Sequence, residues 1–295
     1  MSETILITGA AGQLGRIVLD QLLASGQIAP SSIIAASRDT AKLADYSARG
    51  VTLRKVDFDD PSSLPAAFAG VDKALIISTD ALGEPGKRLN QHKAAVEAAA
   101  KAGVGRIFYT SLPQPDDSRV SFAGDHLGTE NAIKATGIPY TIFRNGWYLE
   151  NLFMALPHAL KTGQWYSASG NGVIAHVARA DIGAAIAASL LSQDKDSKIY
   201  TFTGPVAHTV DEIAAAAARA TGLPLQVVHV SDEQLAEGLK GAGLPDFLIP
   251  TIVSFDTNTR DGKIAMVTGD IEALTGRKPQ SLEAFLDQNA KALTA

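Results

Sequence analysis

Near its beginning the chain runs from a short apolar stretch, Ile5-Leu6-Ile7, into Thr8-Gly9-Ala10-Ala11-Gly12-Gln13-Leu14-Gly15 and then into the amphipathic run Ile17-Val18-Leu19-Asp20-Gln21-Leu22-Leu23. A strand, a glycine-rich turn and a helix start in that order constrain the fold more than any other feature. The first amides of the helix have no partner within it. Together with the positive end of the helix dipole they make a site for an anion such as a pyrophosphate. Gly9 permits the tight turn, Gly12 the close approach of phosphate oxygens, and Gly15 close packing of helix on strand. The spacing is Gly-x-x-Gly-x-x-Gly, not the Gly-x-Gly-x-x-Gly of many dehydrogenases. Gly9, Ala10, Ala11, Gly12, Gln13, Leu14 and Gly15 are therefore read as a dinucleotide cradle of variant spacing.

Apolar runs of strand length recur after that turn, with helical patterns between them. Strands are expected near Ile5–Thr8, Ile33–Ser37, Thr52–Asp57, Ala74–Ser78, Arg106–Ser111 and Tyr140–Arg144. Helices are expected near Gly15–Ala24, Ser62–Phe68, Leu89–Ala102 and Asp125–Ala135. Such alternation implies right-handed crossovers and a Rossmann-type α/β fold, a doubly wound parallel sheet with ligands beyond the carboxyl ends of its strands. After about Leu149 the rhythm loosens. Gly163, Gly170 and Gly172 punctuate a loop-rich stretch, and a strand–helix pair follows over 172–191, with Asp181 as the expected cap. A strand at Ile199–Thr203, a helix opened by a Thr209/Glu212 capping box, then Leu225–Val230, Asp232–Lys240 and a helix from Ser281 to Leu293 complete a smaller mixed part. The expected division is a dinucleotide-binding domain over 1–150 and a smaller substrate-binding part over 151–295, of which about 172–203 packs back on the first sheet.

A chain of 295 residues, 46% apolar and 19% charged, can bury a substantial core. Its net charge of -5 argues against nucleic acid or an acidic membrane as partner. The absence of cysteine excludes disulfides, thiol nucleophiles and cysteine-held zinc or iron–sulfur clusters. The six histidines stand apart from one another, so no metal is expected. No basic stretch with a long apolar run precedes the first strand, and the longest uncharged apolar run, Ile182 to Leu191, is too short to span a bilayer. A cytoplasmic location is expected.

The second strand ends Ala36-Ser37-Arg38-Asp39. An acid there takes the ribose hydroxyls of NAD, whereas an arginine accommodates the 2′-phosphate of NADP. Arg38 is fixed in charge and can bond phosphate bidentately, and Asp39 begins the next turn, so NADP(H) is favoured. At the end of the third strand, Asp57 suits the adenine amino group and Phe58 the ring, while Asp59 and Asp60 suit the cap of the helix that Pro61 enters. By topology Ser78 and Thr79 end the fourth strand near the ribose and nicotinamide, and Tyr109-Thr110-Ser111 ends the fifth near the nicotinamide.

Carbonyl reduction in short-chain dehydrogenases uses a tyrosine with a lysine four residues later. No tyrosine here has that partner. Ser111 suits the serine of such a triad, but His126 and Glu130 stand where the tyrosine and lysine belong. His126 is either a proton donor or a helix-packing histidine. No Gly-x-Ser-x-Gly elbow and no Gly-Lys-Ser/Thr phosphate loop occurs, so hydrolase and triphosphatase chemistry have no support.

The glycine turn and Arg38 resemble those of the NmrA-like group of atypical short-chain dehydrogenases. The segment Ile138-Pro139-Tyr140-Thr141-Ile142-Phe143-Arg144-Asn145-Gly146-Trp147-Tyr148-Leu149-Glu150-Asn151 sharpens the likeness. So do Tyr109-Thr110-Ser111-Leu112, His126-Leu127-x-x-Glu130 and Arg179-Ala180-Asp181. Within that group the pattern is similar to the bacterial type 2 NAD(P)H:quinone oxidoreductases and the triphenylmethane reductases. It runs from the first strand to about Leu244-Pro245-Asp246 and fades after Pro250. The resemblance implies flavin-independent hydride transfer from NADPH to a quinone. It implies a dinucleotide held by Gly9–Leu14 and Arg38, with its nicotinamide half lined by Asn145, Gly146, Trp147, Tyr148, Leu149 and Glu150. It also implies an acceptor bordered by Ser78, Thr79, Asp80, Val177, Ala178 and Arg179. The sequence departs from the pattern at Asp80, an acid in an uncharged position, and at His176, where a small hydroxyl residue is common.

That chemistry tolerates the missing tyrosine. A quinone or a conjugated cationic dye accepts hydride without strong acid assistance, and the protein chiefly stacks and orients it. Hydrogen bonds to the developing oxyanion add stabilisation, with Ser78, Thr79, Asn145 and the backbone near Trp147 as candidates. Trp147 and Tyr148 serve either as stacking surfaces or as hinge and core aromatics. The expected function is an NADPH-dependent reductase of quinones or similar conjugated acceptors, without flavin or metal. The catalytic candidates are Ser78, Asn145 and His126, and the site of Trp147, Val177, Ala178 and Arg179 is assigned to the acceptor. The cofactor set includes Ser78 and Thr110. Alternatives are an NADP(H)-binding redox sensor without turnover, and reduction of an aromatic double bond, which would want a lysine where Glu130 stands. The expected partner is a small aromatic or quinone acceptor, with no nucleic acid or membrane, and a homodimer is left open.

Overall fold

A computed structural model of the chain describes residues 3–295. The first half contains β1 (Ile5–Ile7), α1 (Gln13–Ser25), β2 (Ile33–Ser37), α2 (Ala44–Ala48), β3 (Thr52–Lys55), α3 (Leu64–Phe68), β4 (Lys73–Ile76), α4 (Lys87–Lys101), β5 (Arg106–Ser111), α5 (Ala123–Ala135) and β6 (Tyr140–Asn145). Then come α6 (Leu156–Thr162), β7 (Gln164–Ser167), β8 (Val173–Ile174), α7 (Arg179–Leu191), β9 (Lys198–Phe202), β10 (His208–Thr209) and α8 (Val210–Thr221). The chain closes with β11 (Gln226–His229), α9 (Asp232–Gly241), α10 (Ile249–Arg260), α11 (Asp270–Thr275) and α12 (Leu282–Leu293).

Two compact units result, and they interleave along the sequence. One comprises Met1–Leu112, Asp125–Arg144 and Ile182–Tyr200; the other comprises Pro113–Gly124, Asn145–Asp181 and Thr201–Ala295. The first unit is built on a seven-stranded sheet of order β3-β2-β1-β4-β5-β6-β9. The pairings from β3 through to β6 are all parallel, with Ile5 opposite Ile33 on one side and Lys73 on the other. Order reverses between β1 and β4, the switch point beyond which an open α/β sheet binds ligands. Every residue of β1, β4 and β5 is buried, as expected of strands covered on both faces. Leu6, Ile34, Ile76, Phe68, Val96 and Ile107 belong to one core cluster of this unit.

The second unit carries two small sheets, β8 antiparallel to β10 and β7 parallel to β11. Its core gathers Leu149, Leu152, Leu160, Ile213, Phe285 and Leu286 among others. The expected capping box opens α8: Thr209 Oγ1 accepts the Glu212 amide at 3.2 Å, and the Glu212 carboxylate accepts the Thr209 amide at 2.8 Å. Three expectations need correction. The stretch after Leu149 is not simply loop, because a 3₁₀ segment (Leu149–Met154) and α6 occupy it. A helix of twelve residues, α10, stands at Ile249–Arg260, where no element was expected. Asp181 does not cap α7. The helix starts at Arg179, and the Asp181 carboxylate accepts the Gln280 amide at 2.7 Å and pairs with Arg277 at 3.1 Å. Among the described residues no helix is long and apolar enough to cross a membrane.

Candidate functional site

The turn between β1 and α1 has the form the glycine spacing demands. Gly9 is left-handed, with φ of 63°. The Ala10 amide donates to the Ala36 carbonyl of β2 at 3.0 Å, and the Gly12 amide closes the turn on Gly9 O at 3.0 Å. A Cβ on Gly15 would lie 2.5 Å from Gly9 O and 2.8 Å from Ala10 Cα, so only glycine lets α1 enter against the turn. No side chain caps α1 and no acid stands in its first turn, which leaves the amides of Gln13, Leu14 and Gly15 without intrahelical acceptors. Ala10 and Leu14 are buried, so Ala11, Gly12 and Gln13 form the accessible lip of the turn.

At the end of β2, Arg38 is exposed. Asp39 turns away, its carboxylate accepting the Ala41 amide at 3.0 Å as the cap of the next turn. At the end of β3, Asp57 Oδ1 accepts the Asp59 amide at 3.0 Å, and Phe58 packs against the core cluster. Asp60 caps the turn at Pro61–Ser63, as expected. Asp59 does not cap it. Its carboxylate accepts from Gln91 at 2.8 Å and faces Lys87 at 3.5 Å. The Gln91 bond, then Lys87 and the charge of Arg38, hold the Asp59 carboxyl below its ordinary value.

Beyond β4 the sheet ladder is continued by side chains. The Ile77 amide donates to Thr8 Oγ1 at 3.1 Å, the Ser78 amide to Thr110 Oγ1 at 2.9 Å, and the Thr79 amide to His92 Nε2 at 3.0 Å. Thr110 in turn donates to Ser78 Oγ at 3.3 Å, so Thr110 is a support for Ser78. The Thr79 hydroxyl gives its proton to Gln91 Oε1 at 2.7 Å, and the Thr79 carbonyl accepts from Arg88 Nε at 2.7 Å. Among the described bonds the Ser78 proton is given to no acceptor, which distinguishes Ser78 from Thr79 as a donor. Asp80 is exposed. Arg88, Gln91 and His92 were not anticipated. Their signal was a set of polar residues at i, i+3 and i+4 on a helix whose neighbouring positions, Ala95 and Val96, face the core.

His126 is buried and both ring nitrogens are engaged. Arg88 Nη2 donates to Nε2 at 2.9 Å, so the neutral ring carries its proton on Nδ1 and gives it to Tyr109 Oη at 2.8 Å. Burial, then Arg88 and His92, push His126 well below its ordinary value. Ser111 donates to Glu130 at 2.8 Å, and Arg144 grips the fully buried Glu130 bidentately at 3.0 and 2.8 Å. The two positions where a carbonyl-reducing tyrosine and lysine would stand are thus occupied by groups locked into the core.

In the second unit, Gly146 is explained by backbone: its amide donates to Phe202 O at 2.8 Å, and a Cβ there would lie 2.8 Å from the same oxygen. Asn145 is buried, its amide nitrogen 3.5 Å from Tyr148 Oη and its Oδ1 enclosed without a partner. Trp147 lies 4.0 Å centroid to centroid from Phe255 of α10, and Phe255 meets Phe122 edge-on at 6.1 Å. Neither phenylalanine was anticipated, because residues far apart in sequence make the cluster. Val177 exchanges backbone bonds with Trp147 and Leu149 at 2.9 and 3.0 Å, and the side chains of Leu149, Val177 and Ala178 are buried. The Glu150 carboxylate accepts the Arg179 amide at 3.0 Å, which caps α7 from a distance. Arg179 bonds Asn151 at 3.0 Å and stacks over Tyr148 at 4.5 Å. His176 Nδ1 is enclosed without a partner, and burial and His208 push its pKa down to about 3. Among the described residues no cluster suits a metal ion.

The pattern of the NmrA-like family matches residues 1–286. Quinone oxidoreductase 2 of Escherichia coli K12 is 36% identical over 278 residues, covering 94% of this chain and 96% of that protein. The crystal structure of an NADPH-dependent quinone oxidoreductase from E. coli, complexed with NADPH, superposes with a TM-score of 0.91 at 35% identity, covering 97% of this chain and 99% of that one. Citrobacter sp. triphenylmethane reductase complexed with NADP(H) gives a TM-score of 0.90 at 31% identity, covering 97% of this chain and 100% of that one.

Proposed function

The chain belongs to the NmrA-like family, and on that premise we propose that it is an NADPH-dependent reductase passing hydride directly to a quinone or a similar conjugated acceptor. The observation that carries the reading is the locking of His126 between Arg88 and Tyr109 and of Glu130 between Ser111 and Arg144. With neither group ready to protonate a ketone, the acceptor must be electrophilic enough to need no strong acid. Relatives of this size and similarity named for quinones and triphenylmethane dyes agree with that demand.

The residues of the first unit fit a dinucleotide phosphate. The uncapped start of α1 offers amides to the pyrophosphate, and the bare Gly12 leaves the approach open. Arg38, with Asp39 turned aside, suits a 2′-phosphate better than a ribose diol. Asp57 and Phe58 retain a partly exposed edge for adenine. When bound, NADPH supplies the hydride. Ser78, whose proton goes to no acceptor among the described bonds, can give it to the oxygen that gains charge as the acceptor is reduced, and Thr110 bonds both its amide and its hydroxyl oxygen. In the second unit, taken by itself, Asn145 Oδ1 is an unspent buried acceptor suited to an amide donor, and the half-buried Trp147 offers a flat surface to an aromatic molecule. The Glu150 carboxylate is already committed to α7, so it takes no part in this assignment.

The test is consumption of NADPH and NADH with a panel of quinones and a triarylmethane dye, by the wild type and Arg38→Ala. NADPH oxidation is expected only when an acceptor is present, with the preference for NADPH over NADH reduced by tenfold or more in the variant. Tight NADPH binding without turnover on any acceptor would instead make the protein a cofactor sensor. An unchanged preference in Arg38→Ala would remove the 2′-phosphate from that residue.

A further inference from the structure

Ser78 and Thr79 lie past the last sheet-bonded residue of β4 and before α4 begins at Lys87, in a stretch without regular structure. Backbone there has no ladder to hold it, yet all three polar atoms of Thr79 are held by one helix face. The amide is taken by His92, the carbonyl by Arg88 and the hydroxyl by Gln91, at 3.0, 2.7 and 2.7 Å. We propose that Arg88, Gln91 and His92 of α4 are positioning residues that grip Thr79 and thereby aim the neighbouring Ser78 hydroxyl at the acceptor. This rests on the reading of Ser78 as the donor in the proposed reaction.

The direction of every bond in the grip is determined. The Thr79 amide donates to His92 Nε2, so the neutral ring carries its proton on Nδ1, which faces Thr129 Oγ1 at 3.0 Å and Tyr109 Oη at 3.3 Å. Thr129 passes its own proton to the Asp125 carbonyl at 2.6 Å. Burial, reinforced by Arg88, keeps His92 neutral, with its pKa pushed down to about 3. Arg88 is braced in turn by His126, and His126 by Tyr109. Gln91 uses its amide nitrogen on Asp59, which fixes its oxygen toward Thr79 and commits the Thr79 proton. The Ser78 amide is itself held by Thr110 Oγ1 at 2.9 Å, and chain connectivity fixes the backbone on one side by the Ile77–Thr8 bond and on the other by the gripped Thr79. A neutral ring, an amide and a permanently charged guanidinium, each bonded to a different atom of Thr79, suit positioning.

The experiment compares His92→Phe, which keeps a ring and loses the acceptor, with His92→Gln, whose amide oxygen reaches the place of Nε2. NADPH affinity by fluorescence, and kcat and KM with a benzoquinone, are measured at pH 6, 7.5 and 9. His92→Phe is expected to lose tenfold or more in kcat, with NADPH Kd within threefold of wild type and the same loss at each pH, and His92→Gln to recover most of it. If His92→Phe fails to fold, Gln91→Met, which frees the Thr79 hydroxyl together with the Asp59 carboxylate, is expected to lower kcat threefold or more. Equal kcat in wild type, Phe and Gln variants overturns the proposal, as does a Gln91→Met kcat within twofold of wild type. So does a loss that follows pH, which would make His92 a proton carrier. A wild type inactive on every acceptor defeats the functional reading and the proposal with it, whereas an active wild type with unaffected variants defeats the proposal alone.

Discussion

Gly12 and Gly15 open the same helix, but the space around them is different. A methyl group at Gly12 would sit 3.2 Å from Gly9 O, a contact relieved by a few tenths of an ångström, on the accessible lip of the turn. At Gly15 it would sit 2.5 Å from that oxygen and 2.8 Å from Ala10 Cα, against backbone that cannot yield. Alanine favours a helix over glycine by about 1 kcal/mol. Overpacking costs roughly 1–3 kcal/mol, so the clash decides the sign at Gly15. Gly12 is the N-cap of α1, where alanine is less favourable than glycine by about 1 kcal/mol at most, so Gly12→Ala is expected to lose little thermal stability and to lose NADPH affinity by about tenfold, roughly 1.4 kcal/mol. Gly15→Ala should lose both. Calorimetry and a fluorescence titration separate the two, and normal NADPH binding by Gly12→Ala would remove the phosphate from this turn. The glycines were legible in the sequence because their chemistry is intrinsic: no other residue does what they do. His92 was not, because its meaning comes from Thr79, which the fold brings to it.

At the scale of elements, the starts of helices show the same contrast. The box on α8 is local, Thr209 with Glu212, and could be read from two letters. The start of α7 is capped from outside by Glu150, which no local pattern announces. Asp181, the local candidate, serves the backbone at Gln280 instead. Likewise α10 was hidden because Ile249–Arg260 is rich in β-branched residues and begins with Pro250 at its second position. The hydroxyls of Thr257 and Thr259 bond back to carbonyls four residues earlier, at 3.2 and 2.9 Å. Its helical state is held by packing, with Phe255 against Trp147. Glu150→Ala removes the cap of α7 and is expected to cost about 1–2 kcal/mol of stability, in the range of a lost helix cap. NADPH Kd should move less than threefold. Urea unfolding with a parallel titration checks this, and a large rise in Kd at unchanged stability would return Glu150 to the cofactor.

At the scale of the whole molecule, the sheet was legible because parallel strands covered on both faces are uniformly apolar and alternate with helices. The interleaving of the two units was less so: Pro113-Gln114-Pro115-Asp116-Asp117-Ser118 reads as an ordinary loop between elements, and Asn145–Asp181 carries no break in composition to mark where the chain leaves one unit for the other. The same burial that builds the cores encloses titratable rings. His92 and His126 are buried and neutral, their proton affinities reduced first by burial and then by Arg88. On unfolding each ring regains its ordinary affinity, so below pH 6.5 the unfolded chain binds more protons than the folded one and stability falls with pH. For His92 this loss begins near 6.5 and continues to about 3. By pH 4.5 it amounts to roughly 2.7 kcal/mol, at about 1.4 kcal/mol per pH unit. His126 acts in the same direction, and the His92 contribution alone is a large share of a typical stability of about 5–15 kcal/mol. The protein is therefore expected to lose stability steeply from pH 6.5 toward 4.5. In His92→Gln, which removes one ionisable ring and keeps the acceptor for Thr79, the slope of that limb should fall by about 1.4 kcal/mol per pH unit. Urea unfolding at half-unit steps measures both. An identical acid limb in wild type and His92→Gln would mean that His92 takes up its proton in the folded protein, and the neutral, directional grip on Thr79 would then be lost at the same pH.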